Sequence, residues 1–192
     1  LIEAKQSSSR TTFLQGLAHR DLGELEEAVR SLEDSLASGL FGIMANKAHQ
    51  ILTDLYAGLG WERGIEVYDR AVQRNSNDTI SYYNRGLAYF DRGQYEAAVQ
   101  DYGHAINLAK NNWRYYSSRA QAKFKNGDRS AVPDYTAAIL LNPTNVDLYI
   151  GRARSSHLQE DKLDDAIQDL DQAIALDPQN GEAHYHRALV YI

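Results

Sequence analysis

The chain has 192 residues, 43% of them apolar, with 20 basic and 26 acidic side chains and a formal net charge of −6. That suits a folded protein with a sizeable core and disfavours nucleic acid and anionic membrane surfaces as partners. The absence of cysteine excludes disulfides, thiolate metal sites and cysteine nucleophiles together, and leaves the redox compartment open.

Residues 1–8 open without Met and read as the end of a preceding element or as an N-terminal extension. No signal-peptide order follows, and no apolar run is long enough to cross a bilayer. From there Leu25, Ala28, Val29, Leu32, Ser35 and Leu36 fall three or four residues apart, which predicts one apolar helical face. The segment GLGWERG, Gly58 to Gly64, superficially resembles a phosphate-binding loop, but no strand precedes it; its glycines are expected in a helical-hairpin turn and a close crossing. In YYNRGLAYFDRGQYEAAVQDY, Tyr82 to Tyr102, a first helical segment ends at the break Asp91-Arg92-Gly93-Gln94. A second face then runs through Tyr95, Ala98, Val99, Tyr102, Ala105 and Ile106. Pro133 stands where the next second helix should be under way; because proline fits only the first turn, that helix is expected to start late, near Ser130, or to kink.

Two columns of small residues carry a common rhythm. Ala28, Gly64, Ala98, Ala131 and Ala166 form one, and Ser35, Ala71, Ala105, Ala138 and Ala173 the other, both with gaps of 36, 34, 33 and 35. A third column runs Gly16, Leu52, Gly86, Ala120, Ala153 and Ala188. Its distances to the first column and from the second place the length changes in turns, with a connection two residues longer between the first two units and a shortened turn in the fourth. Close helix crossings need small side chains, so Gly86 and Ala98 are expected at a crossing and Ala105 against the next unit. Tyr89, Tyr95 and Tyr102 fill the space around them.

Paired helices of about 34 residues with this alternation of small and aromatic residues resemble the tetratricopeptide repeat family. The resemblance covers five units, 9–44, 45–78, 79–112, 113–145 and 146–180, and a truncated sixth at 181–192. Repeat-ending prolines are present at Pro143 and Pro178 but replaced by Leu40, Ser76 and Lys110. The resemblance implies an all-α fold, an α-solenoid of antiparallel helix pairs in a right-handed superhelix, with first helices lining a concave groove. It implies a protein-binding scaffold or adaptor, or the repeat region of a larger multidomain protein.

Helical spacing directs Phe13, Leu17 and Arg20, then His49, Thr53 and Tyr56, then Tyr83, Leu87 and Phe90 toward that groove. Arg114, Ser117, Gln121, Phe124 and Lys125 follow, then Ile150, Arg154 and His157. An apolar anchor among Tyr56, Tyr83, Leu87 and Phe90, with acidic partner residues meeting Arg114, Lys125 and Arg154, is the expected mode of binding. Family members that hold chaperone C-termini use a set of Lys, Asn and Arg; the matching positions here are His49, Thr53, Asn84, Arg114 and Ser118. Only Asn84 agrees, so such a clamp is not expected. The asparagine ladder of the O-GlcNAc transferase branch is also missing.

Arg85, Arg119 and Arg152 share one column, and Asp101, Asp134 and Asp169 another on the paired helix. Bridges across the helix pair, or from one unit to the next with Arg187 joining, are expected. His184 and His186 point about 200° apart on a helix and so do not chelate one metal. No cofactor and no catalytic constellation is expected. The C-terminal helix, with Ala188, Leu189 and Tyr191 uncovered, offers a route to homo-oligomers.

Overall fold

The computed structural model describes residues 2–40, 42–59, 61–157 and 162–191, with side chains for all of these but 2–6, 37, 42, 46, 53, 56–59 and 61–63. The chain forms two compact units that divide between Arg92 and Gly93. The first holds α1 (Ile2–Asp21), α2 (Leu25–Ala37), α3 (Gly42–Leu59), α4 (Trp61–Arg74) and α5 (Thr79–Asp91). The second holds α6 (Tyr95–Leu108), α7 (Trp113–Lys125), a 3₁₀ turn (Arg129–Ala131), α8 (Val132–Leu141), α9 (Val146–His157), α10 (Leu163–Leu176) and α11 (Gly181–Val190). The described residues contain no strand; the fold is an α-solenoid of antiparallel helix pairs.

Polar side chains cap the starts of some helices, and left-handed glycines stop others. The Asp78 carboxylate accepts from the Ser81 amide (3.2 Å) to open α5, and the Asn112 side chain accepts from the Arg114 amide (3.1 Å) to open α7. These caps satisfy amide donors that the helix leaves unpaired. Gly127 takes φ +74° after α7. Its amide donates to the Phe124 carbonyl, while the Asp128 amide donates to that of Lys123, a Schellman stop that favours glycine at the left-handed residue.

Packing follows the columns. Ala28, Ala98, Ala131 and Ala166, and likewise Ser35, Ala105, Ala138 and Ala173, are fully buried, and Gly86 is buried on α5. In the first unit Phe13, Leu32, Leu52 and Tyr68 surround the small residues, and Leu52 is the large exception that fills a crossing. In the second, Tyr135, Leu148, Ile150 and Leu170 do so. Tyr102 is 1% exposed, whereas Tyr89 and Tyr95 are half-buried.

Two of the three length changes lie in helices, contrary to the expectation that turns absorb them. Four residues separate α2 from α3, as they separate α4 from α5 and α8 from α9. The additional residues lie at the start of α3: Gly42 stands ten residues before Leu52, against seven from Thr79 to Gly86 and from Trp113 to Ala120. Met44, Ala45, Lys47 and Ala48 are good helix formers, so the inserted segment adds helix ahead of the packed columns. The deletion in the fourth unit leaves the turn at 126–128 intact and replaces the start of the second helix with the 3₁₀ turn. Three 3₁₀ residues rise about 6 Å, the same as four α-helical ones, which bridges the missing residue. As Pro133 demanded, Ser130 is non-helical (φ −83°, ψ 20°) and α8 begins at Val132 with proline in its first turn. Residues 158–161 of the fifth unit and Gly60 of the GLGWERG segment lie outside the described residues.

Candidate peptide-binding face

In the first unit the predicted stripe Tyr83, Leu87 and Phe90 lies along α5 at helical spacing, each residue half-buried. Beside it Asn84 is 5% exposed, and its Nδ2 has no hydrogen-bond partner among the described residues. A buried amide with an unmet donor carries a desolvation cost that a ligand carbonyl or carboxylate relieves. The side chain of Tyr56 lies outside the described residues.

In the second unit α7 touches α9, and α9 touches α11. Arg114 is exposed, its guanidinium 4.7 Å from the Trp113 ring centre, and Lys125 is exposed at the last residue of α7. Arg154 on α9 stacks 5.2 Å above the ring of Phe124 on α7. That cation–π contact joins two predicted binding residues from separate helices and pre-orients the guanidinium. His157 is exposed nearby on α9, and His186 on α11 is half-buried. Burial, then the charge of Arg154, pushes the His186 pKa below its ordinary value.

Four positions expected to face a groove are buried. Phe13, His49, Ser117 and Ile150 are 4%, 8%, 7% and 2% exposed. Each lies on the flank of its helix that packs against neighbouring helices, and periodicity within one helix does not reveal how far a neighbour covers that flank. Burial pushes the His49 pKa down to about 4, so its ring is neutral near pH 7.

The arginine column clasps the helices. Arg119 is bidentate to Asp134, Nε to Oδ2 at 2.9 Å and Nη2 to Oδ1 at 2.5 Å, and Lys123 adds a contact at 2.9 Å. Arg152 is bidentate to Asp169 at 2.8 and 2.6 Å, and its Nη1 also donates to Thr136 Oγ1 at 3.1 Å. The Asp169 hydrogen bonds raise the Arg152 pKa further. Arg85 donates to Asp69 on α4, and Arg187 to Asp171 on α10, at 2.7 and 2.8 Å. Both expected options therefore occur: Arg119 and Arg152 pair with aspartates within the hairpin, and Arg85, Arg152 and Arg187 reach the preceding second helix. Asp101 itself is 3% exposed.

Sequence reasoning missed a further column, Glu33, Asp69, Gly103, Thr136 and Asp171, all but one with a side-chain acceptor, although it was readable five residues after each small residue of the first column. Where that column holds Gly103, a Cβ there would lie 3.7 Å from Arg119 Nη1. One arginine position thus faces acceptors on two second helices. The described residues contain no cluster of three or more His, Asp or Glu placed to hold a metal, and no helix long and apolar enough to cross a membrane.

Stacked helix pairs whose first helices present such side chains define a repeat module built for contact with other chains. A family model described as TPR repeat matches residues 86–127 and 155–192, and one described as Tetratricopeptide repeat matches 67–100. The chain belongs to the tetratricopeptide repeat family. It is 35% identical over 118 residues to a DnaJ homolog subfamily C member 7 homolog of Dictyostelium discoideum, covering 59% of this chain and 22% of that protein. It is 32% identical over 95 residues to serine/threonine-protein phosphatase 5 of Rattus norvegicus, covering 49% and 19%. The chain therefore spans about a fifth of the length of these relatives. Among solved structures, the second TPR domain of human RPAP3 in complex with the HSP70 peptide SGPTIEEVD is 29% identical, with a TM-score of 0.57 over 59% of this chain and 95% of that one. The MamA protein, 18% identical, shares the fold with a TM-score of 0.70 over 91% and 94%.

Proposed function

We propose that these residues form a scaffold that binds an extended or helical segment of a partner protein on the first-helix faces. The observation that carries this reading is Asn84, a buried side-chain amide whose Nδ2 has no partner among the described residues, in the column where peptide-binding family members place theirs. Tyr83, Leu87 and Phe90 flank it with apolar surface in the first unit. In the second, Phe124 offers an apolar contact, and Arg114, Lys125 and Arg154 attract acidic partner residues in an otherwise acidic chain. Apolar contacts supply most of the affinity, and the cations orient the segment. No catalytic step, cofactor or metal is assigned to these residues. Self-association through α11, where Tyr185 and Tyr191 are 61% and 69% exposed, is a secondary mode.

Selection from a random twelve-residue peptide library, followed by calorimetry with the selected peptides, tests the reading. Asn84→Ala and the pair Tyr83→Ala with Leu87→Ala should weaken binding at least tenfold while circular dichroism stays helical. Unchanged affinity in both folded variants would remove the first-helix face of the first unit from the proposal. The HSP70 peptide SGPTIEEVD should bind this chain at least tenfold more weakly than it binds the RPAP3 domain measured alongside, because four of five clamp positions differ.

A second reading is that this module recruits partners for a larger protein with its own chemistry. The alignment with only 22% and 19% of the two relatives' lengths favours it.

A further inference from the structure

Beside the Phe124–Arg154 stack, the second unit has a pocket of about 240 Å³ at the junction of α7, α9 and α11. Phe124, Ala153, Leu170 and Val190 make its walls, and Arg154, His157 and His186 stand among its polar lining. Drug-sized ligands occupy roughly 300–1,000 Å³, so this space suits one large apolar side chain. The polar groups favour an anion beside it. Glu182 at present holds both Arg154 (3.4 Å) and His186 (3.6 Å), but the contacts are long and its side chain is 54% exposed. An exposed pair of that kind contributes about 0.2–1 kcal/mol, little enough for an incoming carboxylate to displace.

We propose that this pocket receives one aliphatic or aromatic side chain of a partner segment whose adjacent carboxylate replaces Glu182 on Arg154, with Glu182 acting as a built-in competitor. The inference rests on the peptide-binding reading above and assigns that reading a specificity: an apolar residue next to an acid. Glu182 sets a threshold, because segments with an apolar residue alone leave the Arg154–Glu182 pair in place and gain only the pocket.

The probes are three synthetic peptides on one Ser-Gly framework: one with a central Glu-Leu-Glu, one with Glu-Ala-Glu and one with Gln-Leu-Gln. Each is titrated into the full ¹⁵N-labelled chain. The Glu-Leu-Glu peptide should shift amides of α7, α9 and α11 and bind more tightly than either control. Glu182→Gln should tighten it about two- to fivefold, the reciprocal of one weak exposed pair, and Arg154→Gln should weaken it at least as much. Because Glu182 is exposed, its substitution leaves the fold intact. Equal binding of all three peptides, or no gain with Glu182→Gln, overturns the inference. Shifts confined to α5 around Asn84 also overturn it while leaving the scaffold reading standing. If neither these peptides nor any library-selected peptide binds, the scaffold reading fails and takes the pocket with it. Sedimentation of Glu182→Gln alone should show no new dimer; a concentration-dependent dimer would mean that a second copy, not an acidic segment, fills the pocket.

Discussion

A methyl group added at Gly16 and one added at Gly103 should change stability in opposite directions, although both glycines are helical. Replacing a mid-helix glycine with alanine ordinarily stabilises by about 0.5–1 kcal/mol, since the unfolded chain loses more freedom than the helix does. At Gly103 the new Cβ would meet Arg119 Nη1 at 3.7 Å, an ordinary contact, so the ordinary gain should appear. At Gly16 the new carbon would stand 2.7 Å from Leu32 Cγ, a side chain that is itself fully buried. Overpacking of that kind costs about 1–3 kcal/mol, which outweighs the helix propensity. Urea unfolding of Gly16→Ala and Gly103→Ala should therefore shift the midpoint down and up respectively. A gain at Gly16 would mean that the α1–α2 crossing is looser than its small residue implies.

Between elements, the two kinds of arginine clasp should respond differently to removal of the acid. Asp169 is 7% exposed by side chain and sits in a bidentate pair with Arg152, whereas Asp171, paired with Arg187, is 55% exposed. Asp169→Leu strands a partly buried guanidinium and should cost about 3–5 kcal/mol; adding Arg152→Met should recover most of it. Asp171→Ala should cost no more than about 1 kcal/mol. Thermal unfolding of the three variants, compared with the parent chain, checks both. The helix pairs and the small columns were legible in the sequence because Ala98, Ala105 and Tyr102 repeat at a period that only packed helices require. The placement of insertions was not, because the distance between Leu52 and Ser35 counts residues without saying whether they extend a helix or a turn. Pro133 was the exception, since its missing N–H restricts it to a first turn whatever surrounds it. The stripe Tyr83, Leu87 and Phe90 was readable for the same reason as the columns. Contacts such as Arg154 on Phe124, and the burial of Ile150, depend on how two helices cross, which the period of either one does not contain.

For the whole molecule, acid should act first on the unit that contains His49. His49 is 8% exposed, and desolvation holds its pKa at about 4 against an ordinary 6.5, with the nearby charge of Asp78 opposing the shift. The folded chain thus refuses a proton that the unfolded chain accepts between pH 6.5 and 4. Stability linked to this residue is fully present above pH 6.5 and declines as pH falls through that window, by about 1.4 kcal/mol per pH unit and at most about 3.5 kcal/mol in total. No such loss is expected on going from pH 7 to pH 8. His49→Gln removes the titrating ring, so the difference in unfolding free energy between variant and parent should be constant above pH 6.5 and move in the variant's favour toward pH 4. Other carboxylates titrate in both proteins and cancel in that difference. Hydrogen exchange at pH 5 should show residues 1–92 opening before residues 93–192 in the parent, and this order should weaken in His49→Gln. A pH-independent difference between the two proteins, or a His49 imidazole seen by NMR to protonate near pH 6.5 in the folded chain, would contradict the assignment.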